Sequence, residues 1–346
     1  MSKVTVLVAV YNAEAWLARS LDSLLAQTMH DLQIVCIDDA STDASLPLLQ
    51  QYAARDERIE VIALSENHGQ AYARNQGLQR AQGEYVCFLD ADDWLSPDAI
   101  ASAVDVFRQY GQTDSVLFQV DIMHPDGVEH YQLPDFEVLT GHEAFLKSLD
   151  WQLHGVYMVR TAIHQRFPYD DSCRWFSDDN TSRIHYLHSR EVRQCSGVYY
   201  YFQHPESTSH AVSVHRFDRL RAADSMKDQL LHANVSHEVM CEWEVQRMLM
   251  LVECFRFYYE EGRGLSPADR RHGLQAMRQF RNTIDPTMLL SPKVHKFGYR
   301  LMPSWWLFRC QEWLYFTLRG LLGKNKKPRK SIESFFMVNF CVFSGK

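Results

Sequence analysis

The sequence lacks the segments that mark a membrane-spanning or exported protein. It contains no run of about 18 uncharged apolar residues, the length at which a helix could cross a bilayer. The opening residues MSKVTVLVAV read as a strand and have no signal-peptide pattern, so we expect no secretion. Eight cysteines are few for 346 residues, and none forms a C-x-x-C pair. This excludes a disulfide scaffold, argues against a structural zinc cluster and predicts a cytoplasmic protein.

Positive charge is also scarce, except near the C-terminus. The formal net charge of −7 argues against nucleic acid as a partner. Residues 291–346 hold 11 Lys and Arg against two acidic residues, whereas the preceding residues hold 25 against 41. An apolar content of 46% is ordinary for a soluble globular protein. We predict a globular domain at 1–213, a helical extension at 214–290 and a basic, aromatic-rich tail at 291–346.

Strand-like and helix-like segments alternate in the first third of the chain. Apolar, β-branched runs at 3–10, 32–37, 59–64 and 84–89 predict strands, and the amphipathic segments that follow them predict helices. Short connections between alternating elements are typical of an α/β fold with a doubly wound, mainly parallel, Rossmann-like sheet. A helical pattern from about 215 to 285 predicts a C-terminal helical extension.

Polar side chains follow three of the predicted strands. They are Tyr11-Asn12, Asp38-Asp39 and the run from Asp90 to Asp93. Because ligands of such sheets bind beyond the carboxyl ends of the strands, we expect these residues to converge on one ligand-binding edge.

The pair Asp90 and Asp92 predicts a metal site. At a strand end, residues two apart leave on the same face, and paired carboxylates suit Mn²⁺ or Mg²⁺ shared with substrate phosphates. One alternative is a solvated acidic turn, in which Asp93 caps the next helix. Another is the aspartyl-phosphate nucleophile of haloacid-dehalogenase-like phosphotransferases, although Trp94 stands where that class has Thr or Val.

Four elements in order over residues 4–95 resemble the family 2 glycosyltransferases of the GT-A fold. The first is Ala9-Val10-Tyr11-Asn12, with Ala where the family usually has Pro. The second is IDDASTDAS at 37–45, with Ala40 where the family has Gly. The third is NHGQAYARNQG at 67–77, and the fourth is GEYVCFLDADD at 83–93. The resemblance implies the GT-A fold and a nucleotide-sugar donor.

The resemblance also implies roles for individual residues in donor binding. Asp39 would hydrogen-bond the uracil edge of a UDP-sugar beside Asp38, and the main chain at Val10 and Tyr11 would flank the base. Arg74 would approach the nucleotide, unless it is a helix-surface arginine in an ion pair. Asp90 would face the ribose or the sugar. Asp92 would be the principal metal ligand.

A later acidic pair, Asp178-Asp179, resembles the family's catalytic motif at the start of a helix. Asp179 would be the general base, and Asp178 stands where the family often has Glu. The alternatives are simple helix capping and the rival pair Asp170-Asp171. Downstream, His204 could reach the pyrophosphate or the metal, or could be structural.

These features predict an inverting glycosyltransferase that adds one sugar to a hydroxyl of a glycan or lipid-linked glycan acceptor. Relatives of this kind build bacterial surface polysaccharide or lipopolysaccharide. Two alternatives stay open: a non-catalytic GT-A protein that binds nucleotide-sugars, and a nucleotidyltransferase. The aromatic and basic residues of 297–330 further predict attachment to an anionic membrane surface, at the cytoplasmic face of the inner membrane, although Arg309, Glu312 and Arg319 interrupt the apolar pattern. The alternative is a helix whose aromatic side chains pack onto the GT-A core, with a solvated basic end.

Overall fold

The computed structural model describes residues 3–172, 174–176, 178–204 and 213–323. The chain divides into a first unit, residues 1–205, and a second unit, residues 206–346.

The first unit is a sheet of ten described strands with helices between them. Its first part alternates strand and helix as the sequence predicts, and the bounds are β1 Val4–Val10, α1 Leu17–Leu25, β2 Leu32–Asp38, α2 Ser45–Ala53, β3 Ile59–Ala63, α3 Gln70–Leu78, β4 Tyr85–Phe88, β5 Trp94–Leu95 and α4 Ala99–Gln109. The second part continues with β6 Thr113–His124, β7 Gly127–His130, β8 Leu139–Thr140, α5 Gly141–Leu149, β9 Tyr157–Arg160, α6 Thr161–Arg166, α7 Asp178–Leu187 and β10 Glu191–Phe202.

Strand order explains where the site forms. The sheet runs β3-β2-β1-β4-β9-β6-β10-β5, and the pairs among β3, β2, β1 and β4 are parallel. The α/β, doubly wound prediction is therefore confirmed. The sheet is mixed rather than parallel throughout, because β9 runs antiparallel to both β4 and β6. We call the side of the sheet where β1, β2 and β4 end its carboxyl edge.

Close packing fixes the parallel strands against α3. Strand β1 is buried along almost its whole length, as expected for a strand covered on both faces. At Gly77 of α3 a Cβ would lie 2.6 Å from Ile37 Cδ1, so only glycine lets the helix approach β2 this closely. At Gly83 a Cβ would lie 2.5 Å from the Thr5 nitrogen. These two motif glycines therefore have a packing role.

The segment 151–203 includes one long strand besides the short strand β9. It contains β10, a strand of 12 residues that pairs in parallel with β6 along most of its length. Local pattern does not reveal this length, because the pairing joins residues about 75 positions apart and is interrupted by an irregularity between Gln194 and Val198.

The second unit is helical in its described residues. Its main helices are α8 Asp218–His232, α9 His237–Glu261, α10 Pro267–Thr283 and α11 Trp305–Leu321. The other three helices pack against α9. The described part of the predicted tail, residues 291–323, belongs to this unit, and the basic run 324–330 lies outside the described residues. Across the described ranges, none of the helices is long and apolar enough to cross a membrane.

Candidate active site

The acidic run after β4 forms a turn. The strand ends at Phe88, and the Asp93 N–H donates to the Asp90 carbonyl oxygen at 3.1 Å. The expectation that Asp90 and Asp92 leave one face of a strand is therefore wrong, because strand alternation does not extend into this turn. The two carboxylates instead contact different partners.

Asp92 contacts His204 at the end of β10. Asp92 Oδ2 lies 3.0 Å from His204 Nε2, and the Asp92 side chain is one-third exposed. The His204 ring packs on Trp16 at 4.1 Å between ring centroids and on Phe202 at 5.5 Å. The structure thus brings the predicted metal ligand together with a histidine whose orientation is set by aromatic packing.

Asp90 is held by two side chains of α3. Arg74 forms an ion pair with Asp90 Oδ1, and the Gln70 amide donates to the same oxygen at 2.7 Å. The Arg74 guanidinium is buried and stacks over the Phe88 ring at 4.1 Å. Arg74 is therefore a buried ion-pair partner of Asp90, in contrast to the helix-surface alternative.

Asp93 is buried and accepts hydrogen bonds from two residues of β10. The sequence suggested only a helix cap for this residue. Its Oδ2 accepts from the Tyr199 hydroxyl at 2.6 Å, and its Oδ1 accepts from the Phe202 N–H at 2.7 Å. The Tyr199 oxygen in turn accepts from the Asp90 N–H at 3.2 Å. Burial raises the pKa of Asp93 well above its ordinary value, and Asp90 and Asp92 raise it further. Asp93 thus ties the acidic turn to the strand that leads to His204.

Arg19 of α1 is a second residue that sequence reasoning missed. It donates to the Asp92 carbonyl oxygen at 2.8 Å and lies over the Trp94 ring at 3.8 Å. Burial lowers its pKa, while the nearby Asp93 and Asp92 oppose that shift. No motif in the sequence marks this contact, which joins residues 73 positions apart.

The two acids at the end of β2 hold the neighbouring loops by hydrogen bonds. Asp39 is buried, and its carboxylate accepts main-chain hydrogen bonds from His68 at 2.9 Å and Gly69 at 2.7 Å. Asp38 is also buried, and its Oδ2 accepts from the Ser41 N–H at 3.1 Å. Asp39 therefore anchors the loop that begins α3, which is the predicted donor motif.

The backbone at the ends of β1 and β2 adopts left-handed turns. Asn12 has φ of 49° and Ala40 has φ of 59°, a region that favours glycine. The Asn12 side chain accepts from the Thr42 N–H at 2.8 Å, and the Val10 carbonyl oxygen accepts from the Asp39 N–H at 2.8 Å. Ala40 thus adopts a left-handed conformation that glycine would adopt with less strain.

These two hydrogen bonds hold the loop after β1 against the loop after β2. Beside them Tyr11 is 49% exposed, whereas Val10 is buried.

The predicted catalytic pair lies at the start of α7, which begins at Asp178. Asp179 is partly exposed, and the Asp178 side chain lies outside the described residues. The rival carboxylate of Asp170 accepts from Asn180 Nδ2 at 2.8 Å and from the Ser172 N–H at 3.1 Å. Asp170 therefore has a structural role in holding the loop before α7.

That loop is fastened to the predicted donor motif. The Asn75 side chain bonds to both the N–H and the carbonyl oxygen of Tyr169, each at 2.9 Å. Arg174 donates to the Asn67 side-chain oxygen. The residues before Asp179 thus contact α3 and the loop that Asp39 anchors, so the segment leading to the predicted catalytic pair lies beside the predicted donor motif.

The side chains near Asp92 could bind a metal ion only if water or substrate supplied further ligands. Among the described residues, no group of three or more His, Cys, Asp or Glu side chains could hold one. Asp92 and His204 offer one oxygen and one nitrogen ligand. Such a pair suits Mn²⁺ when water and substrate phosphates supply the other ligands.

Comparisons with known proteins agree with this architecture. The family model described as glycosyl transferase family 2 matches residues 5–167. The chain is 41% identical over 219 residues to the uncharacterized glycosyltransferase EpsJ of Bacillus subtilis, a match covering 59% of this chain and 62% of EpsJ. It is 42% identical over 106 residues to the putative teichuronic acid biosynthesis glycosyltransferase TuaG of the same species, covering 31% of this chain and 42% of TuaG.

A solved structure extends the similarity to the fold. The crystal structure of residues 1–349 of TarS from S. aureus, in complex with UDP-GlcNAc, superimposes with a TM-score of 0.72 at 19% identity. The match covers 93% of this chain and 92% of the TarS chain. The chain spans less than two thirds of the length of EpsJ and of TuaG. Residues 5–167 therefore match the family model of family 2 glycosyltransferases, and the sheet and helices of the chain have the GT-A fold.

Proposed function

We propose that the protein is an inverting glycosyltransferase that moves one sugar from a UDP-sugar to a hydroxyl of a glycan acceptor. The observation that carries this proposal is that the three carboxylates of the acidic turn have different partners and different burial. Asp90 is held by Arg74, and Asp93 is buried, whereas Asp92 is one-third exposed beside His204. A partly exposed carboxylate that lies outside the Arg74–Asp90 ion pair suits an ion that a diphosphate shares.

The donor base would bind where β1 and β2 end. Tyr11 is half exposed there, and the main chain at Val10 is fixed by its hydrogen bond from Asp39. Asp39 and Asp38 would act by shaping this loop and by accepting from the uracil edge. The TarS structure was solved with UDP-GlcNAc, which supports a UDP-sugar over other nucleotide-sugars as the first donor to test.

Asp92 would be the principal ligand of Mn²⁺ or Mg²⁺, with His204 as a neighbouring nitrogen donor. A histidine ligand favours Mn²⁺ over Mg²⁺, which prefers oxygen ligands. When bound, the ion would neutralise charge that develops on the leaving diphosphate. Asp90 would face the ribose or sugar and is the weaker candidate ligand, because Arg74 and Gln70 compete for its Oδ1.

Asp179 would act as the general base. The acceptor hydroxyl gives its proton to this carboxylate while its oxygen bonds to the anomeric carbon from the face opposite the diphosphate. The bond from the anomeric carbon to the diphosphate oxygen breaks, and UDP leaves. A single displacement inverts the anomeric configuration and needs no covalent intermediate. Asp178, its neighbour, would support the helix start.

The acceptor would be a glycan or lipid-linked glycan of a bacterial surface polysaccharide or lipopolysaccharide. The name of TuaG, a putative teichuronic acid biosynthesis enzyme, supports a cell-surface product. We place the reaction in the cytoplasm, at the inner face of the membrane where lipid-linked intermediates and nucleotide-sugars meet.

A panel of UDP-sugars tests this function. Each sugar is added with and without Mn²⁺, and thermal unfolding, sugar transfer and donor hydrolysis are measured. A ligand at 100 times its Kd should stabilise the fold by about 2.7 kcal/mol. Stabilisation together with turnover supports the enzyme. Stabilisation without transfer or hydrolysis would favour the non-catalytic binding protein, and release of pyrophosphate from a nucleoside triphosphate would favour a nucleotidyltransferase.

A further inference from the structure

Helix α11 turns an apolar side outward. We call this its outer face, defined by the exposed side chains of Trp306, Leu307, Trp313, Leu314, Leu318 and Leu321. Trp306 is 68% exposed, Trp313 59% and Leu321 80%. Their spacing of seven to eight residues places them along one side of the helix. So many large apolar side chains on one helix face mark an interaction surface rather than ordinary scatter.

Several polar residues of α11 lie away from this outer face. Glu312 and Gln311 are buried, and the Gln311 amide donates to Glu312 Oε1 at 3.0 Å. Arg319 donates to the Tyr315 hydroxyl at 3.0 Å. In the sequence, Glu312 and Arg319 interrupt the apolar pattern, whereas in the structure they leave the outer face continuous apart from its exposed neighbour Arg309.

We propose that the outer face of α11 docks on an anionic lipid surface, with the helix lying in the plane of the membrane interface. Docking would bring the enzyme to the membrane location given under the proposed function. Only the identity of the acceptor found there rests on that proposed function. Indole rings such as those of Trp306 and Trp313 favour the boundary between acyl chains and headgroups. The helix is too short and too polar on its inner side to span the bilayer.

Charge selects lipid as the occupant. The run KNKKPRK at 324–330 follows α11 directly and contributes five positive charges, and the apolar run FFMVNFCVF follows at 335–343. Basic residues that follow an apolar helix in the sequence provide the two signals that stable attachment to a lipid surface requires. A second copy of the chain would bring an identical basic run, and like charges repel.

Vesicle flotation of the full-length chain tests the proposal without any donor. Vesicles of phosphatidylcholine are compared with vesicles that also contain phosphatidylglycerol, at low and high salt. We expect binding to the anionic vesicles that weakens with salt. The variant Trp306→Ser/Trp313→Ser should bind at least about tenfold more weakly, because both rings leave the interface. The control Leu231→Ser, at an exposed apolar position of α8, should bind like the parent.

A second variant isolates the charge. Lys324→Gln/Lys326→Gln/Lys327→Gln should remove most of the salt dependence and the preference for phosphatidylglycerol. Circular dichroism checks that each variant keeps its helices. Asp92→Ala should bind vesicles like the parent, so that failure of docking and failure of the proposed catalysis are read separately.

Three outcomes overturn the proposal. One is a full-length chain that does not float with anionic vesicles. Another is a tryptophan variant that floats as well as the parent. The third is light scattering that shows a dimer dissociated by Trp306→Ser/Trp313→Ser, because the outer face would then bind a second copy.

Discussion

The two units use buried charge in opposite ways. In the first unit the buried guanidinium of Arg74 pairs with Asp90 at the carboxyl edge, next to the exposed Asp92. In the second unit the buried guanidinium of Arg247 lies 2.8 Å from Glu244 Oε1 and contacts Asp224, within a helical core. Similar ion pairs therefore position a carboxylate at the carboxyl edge in the first unit and join packed helices in the second unit. Position relative to strand ends separates the two roles.

The units also bury groups that respond to pH in opposite directions. Burial lowers the pKa of His185 to about 4 and that of His154 to about 3 in the first unit. In the second unit burial raises the pKa of Glu253 to about 7 and that of Glu312 well above its ordinary value. The buried histidines of the first unit favour the neutral form, whereas buried carboxyls, including Asp93 of the first unit, favour the protonated form.

The largest expected effect separates catalysis from stability in the first unit. Asp92→Ala should abolish transfer, a loss of at least ~10³-fold, together with metal-dependent UDP binding. The melting temperature should stay near that of the parent, because a partly exposed side chain leaves no large cavity. The matched control is Asp105→Ala on the exposed side of α4. Near-normal turnover with saturating Mn²⁺ would remove Asp92 from the metal site.

The second prediction compares the two buried arginines directly. Arg247→Leu should destabilise the second unit by about 3 kcal/mol, because it leaves the fully buried Glu244 with Lys227 as its remaining cation. Arg74→Leu should cost the first unit less, because Asp90 is partly exposed and keeps Gln70.

Hydrogen exchange of peptides from 3–204 and from 213–323 measures both losses. Arg74→Leu should also weaken donor binding about tenfold, through a misplaced Asp90. A larger loss of stability from Arg74→Leu than from Arg247→Leu would contradict the comparison.

The third prediction concerns the general base. Asp179→Asn should lower kcat by at least ~10²-fold with little change in donor affinity, because only proton transfer is lost. Asp178→Asn should be milder. Single-turnover kinetics with a saturating acceptor measures the effect. Greater damage from Asp178→Asn would assign the base to that residue, and indifference to both would direct attention to Asp171.

The smallest effect is on stability against pH. Histidines with a lowered folded pKa stabilise the first unit above about pH 6.5, and that contribution is lost as the pH falls toward their folded pKa. Carboxyls with a raised folded pKa stabilise the second unit below about pH 4.3, and that contribution is lost as the pH rises. Hydrogen exchange across this range should show opposite changes in peptides around His154 and His185 and in peptides around Glu253 and Glu312.

Glu312→Gln provides the matched variant. It cannot ionise, so the second unit should lose less stability toward pH 8 while staying within about 1 kcal/mol of the parent at pH 4. An unchanged slope would mean that Glu312 does not titrate in this range.

Much of the first unit could be predicted from local pattern. The strands and helices between residues 3 and 109 repeat with periods that belong to one element each, and the polar strand ends follow directly. The acidic turn could not be predicted correctly, because the position at which β4 ends depends on pairing with β1 and β9. The hydrogen bonds of Asp93 to β10 and the contact of His204 with Asp92 join residues more than 100 positions apart.

The sequence by itself determined the α/β alternation, the acidic residues at the strand ends and the resemblance to family 2 glycosyltransferases, because these are properties of neighbouring residues and short motifs. Only the tertiary structure decided which carboxylate of the acidic turn pairs with the buried Arg74, which one contacts His204, and that Glu312 and Arg319 point away from the outer face of α11. Those outcomes depend on long-range packing, where burial leaves a charged group only the partners that distant parts of the chain bring to it.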